Sequence, residues 1–299
     1  MSGQRPGATA RRTGPPFWMA VPALAFFALF ALVPLLGVVV LSFMSWDGLN
    51  TPSWAGLEAW QATLADPVTR RAMWLTVVFV VVSYLFQAPI SLLLGVFMAG
   101  RQRYRALLSV LYFLPLLFSS AAIGITFKAL LDPNFGLSRA FGADWLSRNW
   151  LGNPDLAIFT VIFVVSWAFI PFHSLLYQAG VRQIPASLYE AATLDGAGRV
   201  TQFFYVTLPQ LRYTIVTSST LMLVGSLTYF DLVFVLTAGG PGNATRILPL
   251  DMYLRGFRSY EMGQASAIAV VLVVVGLTLS LVLNRISGAG RMESQQAGL

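Results

Sequence analysis

The sequence predicts an all-α integral membrane protein with six transmembrane helices. Three observations carry that expectation. Of 299 residues, 57% are hydrophobic and only 10% are charged, against about a quarter charged in an average soluble domain. The apolar residues run in long blocks, each exceeding the roughly 20 residues that a helix needs to cross a hydrocarbon core. Alternating segments of about ten residues, the signature of a membrane β-barrel, are absent from the sequence.

In chain order the spans fall at about 17–43, 72–98, 106–130, 156–180, 212–237 and 264–284. The first block is longer than the ~7–15 apolar residues of a signal-peptide core and lacks a small-residue cleavage site, so it reads as a retained span. In the second, Gln87-Ala88-Pro89 predicts a kink with a hydrogen-bonded amide. The third contains Pro115, which a membrane helix tolerates because its neighbours re-satisfy the freed backbone groups. It ends near Lys128, whose ammonium is expected to snorkel to the outer interface. Helical spacing places Val165, Ala168, Phe169 and Phe172 on one face of the fourth span, and Met222, Ser226 and Tyr229 on one face of the fifth. His173, one turn below the first of these faces, reads as a packing histidine rather than a proton relay. Asp231 is the costliest residue placed in a span, several kcal/mol if unpaired, so it is expected to face protein or water near the outer end.

Charge sets the orientation. Arg5, Arg11, Arg12, Arg101, Arg103, Arg105, Arg182, Arg199, Arg212, Arg285 and Arg291 fall on one side; Arg70, Arg71, Arg139, Arg148, Arg246, Arg255 and Arg258 fall on the other. The excess puts both termini and the 181–211 segment in the cytoplasm. A tail over 1–16, a transmembrane domain over 17–284 and a second tail over 285–299 follow. Loops near 44–71, 131–155 and 238–263, rich in Trp, Pro and Gly, face the opposite side. They are long enough to bind a partner but too short to be domains. With no cysteine in the chain, no disulfide braces them. The net charge of +7 suits contact with anionic lipid headgroups, and no nucleic acid is expected as a partner.

Catalysis inside the membrane would need a cluster of ionisable groups. The spans hold Lys128, His173 and Asp231, on three different helices. One histidine and no cysteine exclude a zinc site of the usual N/S kind, and the single lysine sits in Thr126-Phe127-Lys128-Ala129 rather than a phosphate-binding Gly-Lys-Ser/Thr loop. Hence no catalytic residue, no metal and no cofactor is expected on this chain.

The polar insert 185–209 carries the most information. Ser187 followed by Glu190 predicts a capping box, and Gly196 a stop, for a helix of about two turns. Such a helix is far below the ~12–15 residues needed for marginal stability in water, so its order has to come from docking. The insert has the spacing Glu190-Ala191-Ala192, Gly196, Val206, Leu208-Pro209. This pattern resembles the EAA loop of permease subunits of bacterial binding-protein-dependent ABC importers. Leu188-Tyr189-Glu190-Ala191-Ala192-Thr193-Leu194-Asp195-Gly196-Ala197 and Phe230-Asp231-Leu232-Val233-Phe234-Val235-Leu236-Thr237-Ala238-Gly239-Gly240-Pro241 narrow the resemblance to the carbohydrate-uptake, maltose and glycerol-3-phosphate permease type.

The resemblance implies a type I importer permease fold in the bacterial inner membrane. It implies a different second permease subunit, two copies of a cytoplasmic ATPase that bind ATP and Mg, and an extracytoplasmic solute-binding protein. It also implies that Glu190, Ala191, Ala192, Leu194, Asp195, Gly196, Leu208 and Pro209 couple the chain to the ATPase. Small Ala191 and Ala192 permit close approach; Glu190 either completes the capping box or reaches a basic group on the ATPase. Gly196 allows a sharp exit, and Pro209 marks where the fifth span begins. The path of the solute is expected along Val165, Ala168, Phe169, Phe172, Met222, Ser226, Tyr229 and Asp231, where aromatic faces suit sugar rings and the Ser226 and Tyr229 hydroxyls suit sugar hydroxyls. The short N-terminus lacks the large extra domain of some maltose-type relatives. The competing reading is a proton-coupled secondary transporter using His173 and Asp231; a lipid-modifying enzyme would need paired acidic residues, which are scattered here.

Overall fold

A computed structural model describes residues 17–100 and 102–287. Arg5, Arg11, Arg12, Arg101 and Arg291 of the charge count lie outside the described residues. The chain opens with helix α1, Trp18–Leu41, none of whose residues from Val21 to Leu41 is buried. A two-stranded antiparallel hairpin follows, β1 Met44–Ser45 and β2 Ser53–Trp54, with Met44 opposite Trp54. After the short helix α2, Glu58–Ala65, comes α3, Pro67–Met98. Asp66 caps α3 by accepting from the Val68 amide at 2.7 Å, and Pro67 sits where a missing N–H costs nothing. At 1.5 Å per residue α3 is about 48 Å long, so both of its ends stand clear of a ~30 Å hydrocarbon core. Pro89 lies inside this continuous helix, and the neighbouring Gln87 amide donates to Ser166 Oγ at 3.3 Å, as the sequence suggested.

The third predicted span is two helices rather than one. Helix α4, Arg103–Leu117, meets α5, Ser120–Leu130, at 100°. Pro115 lacks an N–H and tightens the end of α4 into a 3₁₀ turn, Leu114–Leu117. Ser119 then leaves in an extended conformation, and its hydroxyl accepts from the Ala122 amide to start α5 afresh. Helix α6, Leu137–Phe141, lies in the following loop, and the long α7, Ala157–Arg182, is the most buried element. The insert forms α8, Ala186–Leu194, and α9, Arg199–Gln202. A widened turn, Phe203–Thr207, and Leu208–Gln210 lead into α10, Arg212–Ser226.

The fifth span is also bent: α10 and α11, Asp231–Thr237, meet at 46° across 227–230. Helix α12, Leu248–Tyr253, and α13, Met262–Ser287, complete the chain. Among the described residues four helices are thus long and apolar enough to cross a membrane, or six if each bent pair counts as one span. Two widened turns have a common cause. Ala28–Leu32 and Phe203–Thr207 each end one residue before the residue preceding a proline, Pro34 and Pro209. A proline ring clashes with the carbonyl four residues back, and an expanded turn moves that carbonyl aside.

The core lies where α7 meets α3 and α11, around Phe79, Val161, Val164, Val165, Leu232 and Val233. Helices α3 and α7 approach closely at Gly95. A Cβ built there would lie 2.5 Å from Tyr177 Cβ and 2.7 Å from the Ser174 carbonyl oxygen. Just below, the Gln178 amide donates to the Met98 carbonyl at 2.9 Å. Small residues and side-chain amides hold helices together where lipid supplies no hydrophobic drive.

Candidate functional site

The insert begins at a proline. Pro185, with φ −59° and ψ 133°, stands at the N-cap of α8, and no side chain caps that end. The predicted Ser187–Glu190 capping box does not form, because Pro185 ends the preceding turn and puts Ser187 inside the first turn of the helix. Glu190 is exposed. At the other end the expectation holds. Gly196 takes φ +80°, its amide donates to the Thr193 carbonyl at 3.0 Å, and the Ala197 amide to the Ala192 carbonyl at 2.8 Å. These are the two bonds of a Schellman stop, which glycine satisfies at no steric cost.

Helix α8 is tied back to the segment that follows it. The Tyr189 and Thr207 hydroxyls are 2.9 Å apart, and the Gln202 amide donates to Thr193 Oγ1 and to the Ala197 carbonyl, each at 3.0 Å. Yet no residue of α8 is buried, and Leu194 is 89% exposed. Leu188, Val200, Phe204 and Tyr205 are exposed beside it. Ala191 and Asp195 are open too, Ala192 and Leu208 are half-buried, and Pro209 is exposed two residues before the break at Leu211. Hydrogen bonds inside and apolar side chains outside leave this loop with an exposed apolar surface. Its base is tight: a Cβ on Gly180 would lie 2.8 Å from both Leu211 Cδ2 and Thr214 Oγ1.

The two bends meet. A Cβ on Gly124 in α5 would lie 2.7 Å from Val235 Cγ1 in α11. Where the broken helices adjoin, Ser120, Phe169, Thr228, Tyr229 and Asp231 line a cavity of about 100 Å³. The Phe169 and Tyr229 rings pack in a tilted pair, 4.7 Å between centroids and 33° between planes. Asp231 is exposed in the first turn of α11, where a negative charge suits the helix dipole. Of the eight residues placed along the path, Phe169, Tyr229 and Asp231 come together here. Val165, Ala168 and Met222 are buried among other side chains, and Phe172 is exposed and does not line the cavity. Ser226 is buried and donates its hydroxyl to the Met222 carbonyl at 2.7 Å. A shared helical stripe did not make a shared cavity, because α7 packs on several sides at once. Ser120 and Thr228 were missed; Pro115 foreshadowed the first break, but Leu227-Thr228-Tyr229-Phe230 holds no helix breaker that would reveal the second.

A family model described as "Binding-protein-dependent transport system inner membrane component" matches residues 91–289. The chain belongs to this family. The permease is 34% identical over 285 residues to the probable ABC transporter permease protein YurN of Bacillus subtilis (strain 168), covering 93% of this chain and 97% of that one. It is 29% identical over 283 residues to the arabinooligosaccharides transport system permease protein AraP of the same organism, covering 93% and 90%. Its fold matches a chain in the crystal structure of a bacterial alginate ABC transporter in complex with alginate pentasaccharide-bound periplasmic protein. There the TM-score is 0.79 at 22% identity, over 91% of this chain and 93% of that one. The fold is therefore that of a type I importer permease, a multi-pass membrane protein.

In this permease the end opposite α8 is held by an ion network that the sequence did not reveal. Asp251, fully buried at the start of α12, accepts from Thr69 Oγ1 at 2.8 Å and pairs with Arg246 at 2.6 Å. Arg255 pairs with Asp251 at 3.4 Å, with Glu261 at 3.0 Å and with Asp66. Burial works to raise the Asp66 carboxyl, but the hydrogen bonds from Arg255 and the Val68 amide outweigh it and hold the group below its ordinary range. His173, buried, has Nδ1 at 3.0 Å from Ser218 Oγ, which is the packing role expected of it. Lys128 is exposed in the last turn of α5. Among the described residues no three His, Cys, Asp or Glu side chains group as metal ligands do.

Proposed function

We propose that this permease forms half of the translocation path of an ATP-driven importer for a carbohydrate, with α8 as the element that a separate ATPase drives. The observation that carries the reading is the nine-residue helix Ala186–Leu194, which buries none of its own residues yet is fixed by the Tyr189–Thr207 and Gln202 bonds. A rigid lever with an exposed apolar tip transmits a push from whatever seats it, as a rigid-body movement of α7 and α10 at its two ends. Glu190, Ala191, Ala192, Leu194, Asp195 and Gly196 form that tip, and Leu208 and Pro209 the hinge behind it. The chemistry of ATP and Mg belongs to the ATPase, present in two copies, and this chain is not itself an enzyme.

A second, different permease subunit supplies the facing wall. A cavity of about 100 Å³ is smaller than the ~300–1,000 Å³ of ordinary ligand sites, which fits a wall rather than a whole site. An extracytoplasmic binding protein delivers the solute to the loops around α2, α6 and α12. Carbohydrate cargo is supported by the Phe169 and Tyr229 ring pair beside Asp231, and by similar proteins whose names speak of arabinooligosaccharides and alginate. Both termini are placed in the cytoplasm. Arg246 and Arg255 on the other side are consumed in ion pairs with Asp251, Asp66 and Glu261, which sharpens the charge asymmetry. Against a proton-coupled carrier stands the separation of its two groups: His173 is buried on Ser218, whereas Asp231 opens into the cavity beside Tyr229.

The test is solute-stimulated ATP hydrolysis by the assembled, purified complex. Glu190→Lys or Gly196→Val is expected to lower it more than about tenfold while the complex still copurifies. Full stimulation in both variants overturns the reading.

A further inference from the structure

Beneath α8 lies a cleft of about 790 Å³ between the ends of α3 and α7 and the returning segment after α9. Val96, Val181, Ile184 and Phe203 give it apolar walls, and Arg105, Arg182 and Arg199 line it as well; Glu190 is the one carboxylate on its lining. Arg105 is spoken for. Its Nη1 donates to the Phe97 carbonyl at 2.6 Å, its Nε to the Tyr104 hydroxyl at 3.2 Å, and its guanidinium carbon stands 4.5 Å above the Phe97 ring. Arg182 and Arg199 differ: among the described residues neither has an ion pair or a side-chain hydrogen bond, although Glu190 shares their cleft. Two arginines without a protein partner and a third with a fixed guanidinium thus line one apolar-walled cleft.

We infer that this cleft binds a phosphate-bearing anionic headgroup. The guanidinium fork matches the oxygens of a phosphate bidentately and keeps its charge at every accessible pH. Depth agrees with chemistry. Helix α7 has 26 residues, about 39 Å, so Arg182 at its end stands at the headgroup layer, on the side where arginines are in excess. The walls of Val96, Val181, Ile184 and Phe203 suit a glycerol backbone and the start of an acyl chain, which a free phosphate would leave unfilled. A headgroup bridging Arg182 on α7 to Arg199 beyond α8 would tie together the two ends of the loop that carries the lever. That consequence rests on α8 being the coupling helix; the binding itself does not.

The experiment reads binding without ATP turnover, so it fails independently of the coupling reading. Native mass spectrometry on the full-length permease in detergent, titrated with phosphatidylglycerol or phosphatidylcholine, is expected to show retention of the anionic lipid at least about tenfold above the zwitterionic one. Arg182→Gln with Arg199→Gln is expected to abolish the preference, Arg182→Lys with Arg199→Lys to restore much of it, and Arg70→Gln with Arg71→Gln, on the opposite side, to leave it intact. Should the double glutamine variant not fold, the exposed Arg199→Gln alone is read instead and is expected to weaken retention severalfold. Inorganic phosphate is the second probe. Displacement of phosphatidylglycerol by millimolar phosphate, with the same arginine dependence, assigns the site to a soluble phosphate instead of a lipid. Equal lipid retention in wild type and glutamine variants, with no arginine-dependent response to phosphate, overturns the inference.

Discussion

Arg255 and Asp66 form an ion pair across 189 positions of sequence, joining the turn before the last helix to the N-cap of α3. The same guanidinium donates to Thr69 Oγ1 at 2.8 Å and to Gln264 Oε1 at 2.8 Å, and it pairs with Asp251 and Glu261. One buried cation thereby fastens α3, α12 and α13 together at the end opposite α8. Arg255→Leu strands the buried Asp251 with Arg246 as its remaining cation. A fully stranded buried charge costs about 3–5 kcal/mol, and because Arg246 still compensates Asp251 the loss falls toward the lower end of that range. Thermal unfolding in detergent is expected to show a large drop in Tm for Arg255→Leu. A Tm unchanged from wild type would show that the network holds nothing together.

The Asp66 end of this pair is also a pH sensor for stability. Its carboxyl is held below the ordinary value of 3.8, so its contribution is fully present above that value and is lost as pH falls through the depressed folded-state value. Unfolding measured from pH 7 downward is expected to hold steady to about pH 5 and then to weaken below pH 3.8. In Asp66→Asn the part of that acid weakening due to this group disappears, while the neutral-pH stability is lower from the outset.

Gly95 is the contact on which the α3–α7 pair depends. A methyl group there meets Tyr177 Cβ at 2.5 Å and the Ser174 carbonyl oxygen at 2.7 Å, and one of these is backbone that cannot swing away. Overpacking of this kind costs about 1–3 kcal/mol. Gly95→Ala is expected to lower Tm by several degrees, and Gly95→Leu to prevent recovery of folded protein. Gly225→Ala serves as the control, because a Cβ there finds nothing nearer than the Tyr229 hydroxyl oxygen at 3.6 Å.

What the sequence disclosed follows from the range of the forces involved. Long apolar blocks and Gly196 act locally, so the membrane class, the four continuous spans and the stop after α8 could be read directly, whereas the breaks in the third and fifth spans were not. Pro185 also acts locally, yet Ser187 and Glu190 looked like a capping box because their spacing says nothing of where the helix will start. Asp231 was expected at a protein or water surface, and it is exposed at the start of α11. The meeting of Arg255 with Asp66, and of Ser120 with Asp231, joins residues distant in the chain. No periodicity encodes such contacts. The face shared by Val165, Ala168 and Phe172 shows the converse: a helical stripe fixes which residues are neighbours but not what stands opposite them.

The cavity itself separates two hydroxyls that looked equivalent in the sequence. Ser226 donates to the Met222 carbonyl from a buried position and has no proton left for a solute, whereas Tyr229 packs at a tilt against Phe169 and lines the cavity next to Asp231. Ser226→Ala removes a bond to the helix's own backbone, of modest net worth at about 1 kcal/mol, and is expected to leave solute uptake within about twofold of wild type. Tyr229→Ala removes the ring on which a sugar face would lie, together with its packing against Phe169, a loss of about 0.5–1.5 kcal/mol beyond the buried area. Uptake by this variant is expected to fall more than about tenfold, with Tyr229→Phe restoring most of it. The checking measurement is initial uptake by the complex in proteoliposomes at fixed ATP. Equal rates for Ser226→Ala and Tyr229→Ala would place the path away from the junction of the two bent helices.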